Sequence, residues 1–280
     1  MAPHIARTVD DLRAKVAAWA QAGESHALIA TMGALHDGHL ALVALARQHA
    51  DRVVVSIFVN PAQFGPTEDL SRYPRDEVGD VAKLAKVGCD LVWAPDTAEM
   101  YPQGFATRIV LEGAALGLEA DFRPTFFAGV ATVCCKLFTQ VAPKVAIFGE
   151  KDYQQLCVVR QLVRDLDLPL TIIGATTIRE PDGLAMSSRN RYLSPVERAL
   201  APAIYAELTQ AAASIAEGGP ISEASARAEA ALNKKGFKVD YVAVRDAGTL
   251  AAAVRAHGQP LRILAAAWLG KTRLIDNRPV

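Results

Sequence analysis

Cysteine is scarce in this 280-residue chain: Cys89, Cys134, Cys135 and Cys157 are the only four, and none has the Cys-x-x-Cys spacing that zinc and thiol redox chemistry favour. A disulfide-held miniprotein is thereby excluded, and the thiols, set in apolar segments, are expected to be buried and reduced. Net charge is lacking too. Thirty basic residues balance thirty acidic ones, so no overall positive field draws in nucleic acid or anionic lipid, although a local basic patch stays open. No apolar run is long enough to span a bilayer, and Met1 to Asp11 has no apolar core of signal-peptide length. Internal repeats and low-complexity tracts are absent. Together these absences predict a soluble, cytoplasmic protein with no nucleic-acid and no membrane partner.

What is present suffices for a substantial core. Apolar residues make up 51% of the chain, and its length corresponds to one large or two modest domains at roughly 150 residues each. Thr8 followed by Asp11 resembles a capping box, and Leu12, Val16 and Trp19 continue at helical spacing. Short apolar runs at Ala27 to Ala30, Val53 to Phe58, Leu91 to Ala94, Val145 to Phe148 and Leu170 to Ala175 read as strands. They alternate with helical stretches lined by Leu40, Val43 and Ala46, and over Val78 to Val87, Val130 to Val141 and Tyr153 to Leu166. This pattern predicts an α/β fold, a Rossmann-like parallel sheet with helices on both faces, over residues 1–176. Beyond Thr176 a polar loop leads into an alanine-rich helix started by Pro195, and a break at Gly218-Gly219-Pro220 precedes another. With strands at Val239 to Val244 and Leu261 to Leu269 separated by a short helix, residues 177–280 are expected to form a smaller α+β domain.

Four segments carry candidate chemistry. Met32-Gly33-Ala34-Leu35-His36-Asp37-Gly38-His39 lies between a strand and a helix, where a wound sheet binds ligands at strand carboxyl ends and helix N-termini. Gly33 and Gly38 permit close backbone approach to a phosphate, and two imidazoles three residues apart can both donate to an anion. A helix cap plus an incidental imidazole is an equal reading of His36 and His39 alone, and a metal site lacks further ligands. Gly149-Glu150-Lys151-Asp152 again joins a strand end to a helix start, with Gln155 one turn on; Lys151 suits phosphate oxygens, and Asp152 either caps the helix or helps hold magnesium. By itself this segment reads first as a solvated turn. Met186-Ser187-Ser188-Arg189 sets two hydroxyls and a guanidinium in one loop, fit to wrap a polyphosphate or to cap the next helix. Phe58 to Pro66, with Gln63, offers neutral donors between aromatic rings, or a Pro-braced turn.

Taken in order, these segments, with Glu68 to Arg75 and Asp182 to Asn190, resemble the pantothenate synthetases, or pantoate–β-alanine ligases, of the nucleotidyltransferase superfamily, over nearly the whole chain. The resemblance implies a ligase of pantothenate biosynthesis. Such an enzyme condenses (R)-pantoate with β-alanine through a pantoyl-adenylate intermediate, consuming ATP with Mg2+ and releasing AMP and diphosphate. It further implies a homodimer, with 1–176 as the nucleotide- and pantoate-binding domain and 177–280 as a small lid. By the matched motifs Met32 to His39 bind ATP, as do Gly149, Glu150, Lys151, Asp152, Ile178, Met186, Ser187, Ser188 and Arg189. Of these His36, His39, Lys151, Ser187, Ser188 and Arg189 bear on catalysis, while Gln63 meets pantoate and β-alanine and Gln155 holds pantoate; the metal ligands are not implied. The chain departs from the family where Ala30 replaces a usual Pro, expected to loosen the turn into the nucleotide segment. It departs again where Arg123-Pro124-Thr125-Phe126-Phe127 replaces Arg-Pro-Gly-His-Phe. A related adenylate-forming ligase with an altered substrate, or a non-catalytic ATP-binding paralogue, are the alternatives.

Overall fold

The computed structural model describes residues 2–66, 68–253 and 259–280. In chain order it begins with β1 (His4–Ala6), α1 (Val9–Gln21), β2 (His26–Thr31), α2 (Asp37–Ala46) and β3 (Arg52–Ile57). There follow α3 (Glu77–Lys86), β4 (Leu91–Trp93), α4 (Thr97–Met100), α5 (Glu119–Phe122), α6 (Phe126–Val141), β5 (Val145–Gly149), α7 (Tyr153–Asp165) and β6 (Thr171–Ala175). The remainder holds α8 (Pro195–Leu200), α9 (Ala203–Ala216), α10 (Ile221–Lys234), β7 (Lys238–Asp246), β8 (Leu261–Leu269) and β9 (Thr272–Pro279). Two compact units result: Met1–Leu111 with Arg123–Glu150 and Val158–Thr176, and Glu112–Phe122 with Lys151–Cys157 and Thr177–Val280.

The first unit is a parallel sheet in the order β1-β4-β3-β2-β5-β6. Its strands are apolar almost throughout because both faces are covered. Ala27, Ile29, Val53, Val55, Val145 and Ile147 share one face and one core with Val43 and Ala46 of α2 and Leu84 of α3. The alternate residues, Leu28, Val54 and Ala146, are equally buried. On that side α1 meets α6, and Trp93 Nε1 donates to Gln140 of α6 at 3.3 Å. From β2 the chain runs outward one way through β3 and β4, then resumes on β2's other side with β5 and β6. The β2/β5 junction is therefore the switch point at which open α/β sheets take ligands.

Most sequence-predicted elements stand where expected; Thr8 caps α1 by accepting from Asp11 N–H. The exceptions have physical causes. Ala30 lies inside β2, paired with Ser56, as the strand reading of Ala27 to Ala30 has it, so the loosening expected from the missing proline meets a residue already held by the ladder. The strand β1 has three residues, too few to show a period. Helix α6 starts at Phe126, four residues before Val130, because Arg123 to Thr125 already turn into it.

The second unit is the expected α+β arrangement, an antiparallel β7-β8-β9 sheet with α9 and α10 against it. Its core gathers Ile204, Leu208 and Ile215 of α9, Leu232 of α10 and Ile263, Ala265 and Ala267 of β8. The helix started by Pro195 ends at Leu200, and α9 begins after Pro202, which has no N–H to continue a helical ladder. Between β7 and β8 the expected short helix is absent from the described residues; 254–258 lie outside them. A strand not anticipated, β9, follows a two-residue Gly270-Lys271 turn, with Leu269 paired to Thr272 and Gly270 at φ +57. The segments 112–122 and 151–157 belong here: Gln154, 3% exposed, joins them by donating to the Ala114 and Gly117 carbonyls and accepting from Glu119 N–H, and Glu119 accepts from Arg273 of β9 while Tyr153 OH donates to the Ala247 carbonyl.

All four thiols are free, as expected, but Cys135 is only partly buried. Burial pushes Cys89 and Cys134 up to about 12, so near pH 8 about one in 10⁴ of either is thiolate. Ellman's reagent is therefore expected to titrate Cys89 and Cys134 only on unfolding, and rapid modification of either in the native protein would contradict this packing.

Gly129 of α6 marks the tightest approach in the first unit. A Cβ there would stand 2.1 Å from the Ala62 carbonyl oxygen. Although alanine is the better helix former by roughly 1 kcal/mol, Gly129→Ala is expected to lower the unfolding free energy by about 1–3 kcal/mol through overpacking. Urea denaturation measures it; an unchanged or raised midpoint would refute the close contact.

Candidate active site

At the carboxyl end of β2 the backbone turns left-handed twice, Gly33 at φ +82 and Ala34 at φ +52. The second is unfavourable for a residue with a Cβ, by roughly 1 kcal/mol, and is held from below. Thr31 Oγ1 accepts from Gly33 N–H at 3.2 Å. Asp80 on α3, 1% exposed, accepts from Leu35 N–H at 2.8 Å, and Lys83 one turn on donates to the Leu35 carbonyl at 2.8 Å. Both backbone groups of Leu35 are thus gripped by one ion pair, Lys83 Nζ lying 3.4 Å from Asp80 Oδ1. Space is short as well: a Cβ on Gly33 would stand 3.2 Å from Asp80 Oδ2.

This turn delivers the chain to the N-terminus of α2. His36 is the N-cap residue, in extended conformation, and its N–H donates to His39 Nδ1 at 3.3 Å. The cap and the ligand readings of the two imidazoles are therefore compatible. With Nδ1 of His39 an acceptor, its neutral ring carries the proton on Nε2, and that nitrogen is a donor. The rings lie 4.1 Å apart between centroids. Among the described residues no group of three or more His, Cys, Asp or Glu is placed to hold a metal. At the neighbouring strand end, a Cβ on Gly149 would meet nothing within 4 Å, so its bareness is not demanded by packing.

The Asn60 to Phe64 turn follows β3. Asn60, 1% exposed, is the hub: its Oδ1 accepts from Ala62 N–H and from Tyr101 OH, and its Nδ2 donates to the Gly129 carbonyl and to Gln63 Oε1 at 2.9 Å. Burial pushes the Tyr101 phenol up to about 12, keeping it a donor. Because the Gln63 oxygen is taken up by Asn60, its amide presents N–H groups, the polarity that a carboxylate or hydroxyl oxygen needs. Arg123 forks onto Glu68 at 2.7 Å through both Nε and Nη2, and Nη2 also donates to the Gln63 carbonyl at 3.0 Å.

Within the second unit, Lys151 has its Nζ 3.6 Å from Asp152 Oδ1 and its carbonyl held by Asn277 Nδ2 at 2.8 Å. Gln155 lies half-buried in the first turn of α7. Ile178 and Met186 are brought together, since Met186 N–H donates to the Ile178 carbonyl at 3.0 Å. Ser187 caps a short turn by accepting from Arg189 N–H, and Ser188 is buried. Sequence reasoning did not reach Asp80 and Lys83, which lie more than forty residues from the turn they hold, or Asn277. For Asp80 the one available signal was a carboxylate on the core side of a helix.

Whole-chain comparisons identify the family. The family model for pantoate-beta-alanine ligase matches residues 4–279. The chain is 55% identical to the pantothenate synthetase of Caulobacter vibrioides over 99% of both chains. It is 56% identical to that of Mesorhizobium japonicum over 98% of this chain and 97% of the relative. Among solved structures it superposes on pantothenate synthetase from Thermus thermophilus with TM-score 0.91, 46% identity and 98% of each chain covered. The pantoate-beta-alanine ligase of Francisella tularensis, solved in complex with beta-gamma ATP and beta-alanine, gives TM-score 0.83 at 33% identity, with 99% of this chain and 97% of that one covered. The chain belongs to the pantoate-beta-alanine ligase family.

Proposed function

We propose that this chain makes pantothenate from (R)-pantoate, β-alanine and ATP in two displacements. A pantoate carboxylate oxygen attacks the α-phosphorus, the bond from that phosphorus to the bridging oxygen breaks, and diphosphate leaves. The β-alanine nitrogen then attacks the acyl carbon, the acyl–phosphate bond breaks, AMP leaves and the nitrogen loses a proton. The observation that carries this reading is one junction. The β2 and β5 ends set a left-handed turn leading into His36 and His39 beside the bare Gly149, on strands paired from Ala27–Val145 to Ile29–Ile147. Such chemistry asks for alignment and for donors aimed at developing charge.

Met32 to Leu35 form the turn that sets the α2 N-terminus, with Asp37 and Gly38 in its first turn, against the phosphates of ATP, and His39 Nε2–H donates to the oxygen on which charge grows. His39 thus stabilises charge and need not deliver its proton. Gly149 and Glu150 take the nucleotide. Lys151, Ser187, Ser188 and Arg189 take phosphate oxygens, while Ile178 and Met186 meet the base and sugar side. Gln63 and Gln155 hold pantoate, and Gln63 also meets the incoming amine. Magnesium would be held mainly by phosphate oxygens and water, with one or two carboxylates, and Asp152, half exposed beside Lys151, is a carboxylate of the right kind. Bound there, the ion would neutralise phosphate charge. Four free thiols suit a reducing cytoplasm.

Purified protein supplied with ATP, magnesium, pantoate and β-alanine is expected to release pantothenate and AMP in equal amounts; ADP, or ATP binding without product, would overturn the reading. His39→Gln is expected to lower kcat by about 10²–10³, and near-normal turnover would exclude both charge stabilisation and proton donation by His39. Asp80→Ala leaves Leu35 N–H without its acceptor and frees Ala34 to relax. It is expected to cost about 1–3 kcal/mol of stability and to raise the KM for ATP more than that for β-alanine. Equal effects on the two KM values would mean that Asp80 serves the fold alone.

A further inference from the structure

The family departure at Thr125-Phe126 builds a contact that runs to Gln63. Arg123 to Phe126 form a turn closed by Phe126 N–H to the Arg123 carbonyl at 3.0 Å, with Pro124 at its second position. Thr125, at φ −100 and ψ −4, occupies the third position with a conformation any residue adopts, so a glycine is not required there. The turn folds the Phe126 ring onto the Arg123 guanidinium, 3.7 Å from the ring centroid. One face of the guanidinium is thereby covered by an aromatic ring, and its edge holds the Glu68 carboxylate and the Gln63 carbonyl. Behind, the Phe126 ring packs on buried Phe127, 5.0 Å between centroids. The same Gln63 has its side-chain oxygen fixed by Asn60. It is thus held from two sides, at the amide by Asn60 and at the backbone by Arg123.

We propose that Phe126 and Arg123 are positioning residues for the pantoate amide, with the aromatic face in place of an imidazole setting the plane of the guanidinium that fixes Gln63. A planar cation on a ring loses its freedom to rotate out of the Glu68 fork, whereas an aliphatic neighbour leaves that rotation open. The proposal rests on the assignment of Gln63 to pantoate given above. It touches neither the His36 turn nor any nucleotide-binding residue, so its signature is a selective one.

Four variants of the full chain test it: Phe126→Leu, Phe126→Tyr, Arg123→Lys and Gln63→Ala, each measured for the KM of pantoate and of ATP, for kcat, and by hydrogen exchange over residues 60–66. Phe126→Leu and Arg123→Lys are expected to raise the KM for pantoate by about three- to tenfold. The KM for ATP should stay within about twofold, and exchange in 60–66 should speed up. Phe126→Tyr, which keeps the aromatic face, is expected to match the parent in all three. Unchanged exchange in Phe126→Leu and Arg123→Lys, or equal behaviour of the Leu and Tyr variants, would overturn the clamp whatever the kinetics. Faster exchange with an unchanged KM for pantoate, while Gln63→Ala raises it, would overturn the positioning role alone. An unchanged KM in Gln63→Ala would overturn the assignment of Gln63, and the proposed role with it.

Discussion

Asp80 takes the Leu35 N–H under a turn whose Ala34 is left-handed, and with Thr31 and Lys83 it holds the backbone in that strained conformation. The order of events along the chain follows from it. The strand β2 ends, the backbone reverses its hand over two residues, and α2 starts with its N–H groups and His36 at the same end. A buried carboxylate is costly unless paired. Here Lys83 supplies the charge and directs another N–H to the Leu35 carbonyl, so one ion pair on α3 satisfies both backbone groups of the residue before His36. The arrangement is rigid because it is over-determined, and a phosphate site needs that rigidity, since donors that must reorganise when charge develops contribute little.

The second unit uses the same device on a larger scale. Arg273 of β9 donates to Glu119 at 2.7 Å and to Asp240 at 2.7 Å, and Tyr241 donates to the same Glu119 at 3.0 Å. These groups tie a short helix preceding the first unit's α6 to a sheet formed more than a hundred residues later. Burial, with Glu119's charge beside it, drives the Tyr241 phenol well above its usual range, so it stays a donor at any working pH. Arg262 lies on the Tyr153 ring, 3.7 Å from the centroid, and donates to Asn277, which in turn holds the Lys151 carbonyl. The backbone of a proposed phosphate-binding lysine is thus fixed from β9, a strand with no chemistry of its own.

That strand shows where sequence patterns run out. The strands of the parallel sheet were legible because burial on both faces makes them short, uninterrupted apolar runs. The segment Thr272–Pro279 carries two arginines, an aspartate and an asparagine, and reads as a solvated tail. Its polar residues are buried by partners far away: Asp276 takes a fork from Arg179 at 2.7 and 2.8 Å, and Asn277 accepts from Arg262. Period-two logic counts hydrophobicity, and a strand stabilised by matched charge escapes it. The His36, His39, Lys151 and Ser187 segments were readable for the opposite reason, since glycines and polar groups at strand ends are local features. Asp80 was not, because its role depends on how α3 passes beneath a turn, and no local spacing encodes that.

The two departures from the family pattern show the same difference between local and distant constraint. Ala30 pairs with Ser56 inside β2, where neighbours on both sides dictate the backbone. The fixed φ of a proline is replaced there by the sheet, and the change is absorbed. Phe126 lies outside any ladder. It begins a helix at the end of a single hydrogen-bonded turn, and its ring reaches the guanidinium that holds Gln63. Substituting a residue embedded in a ladder alters one unit among many that agree. Substituting a residue whose side chain packs on the group that holds a substrate-facing amide alters what that contact transmits, and specificity toward a small substrate is open to change there.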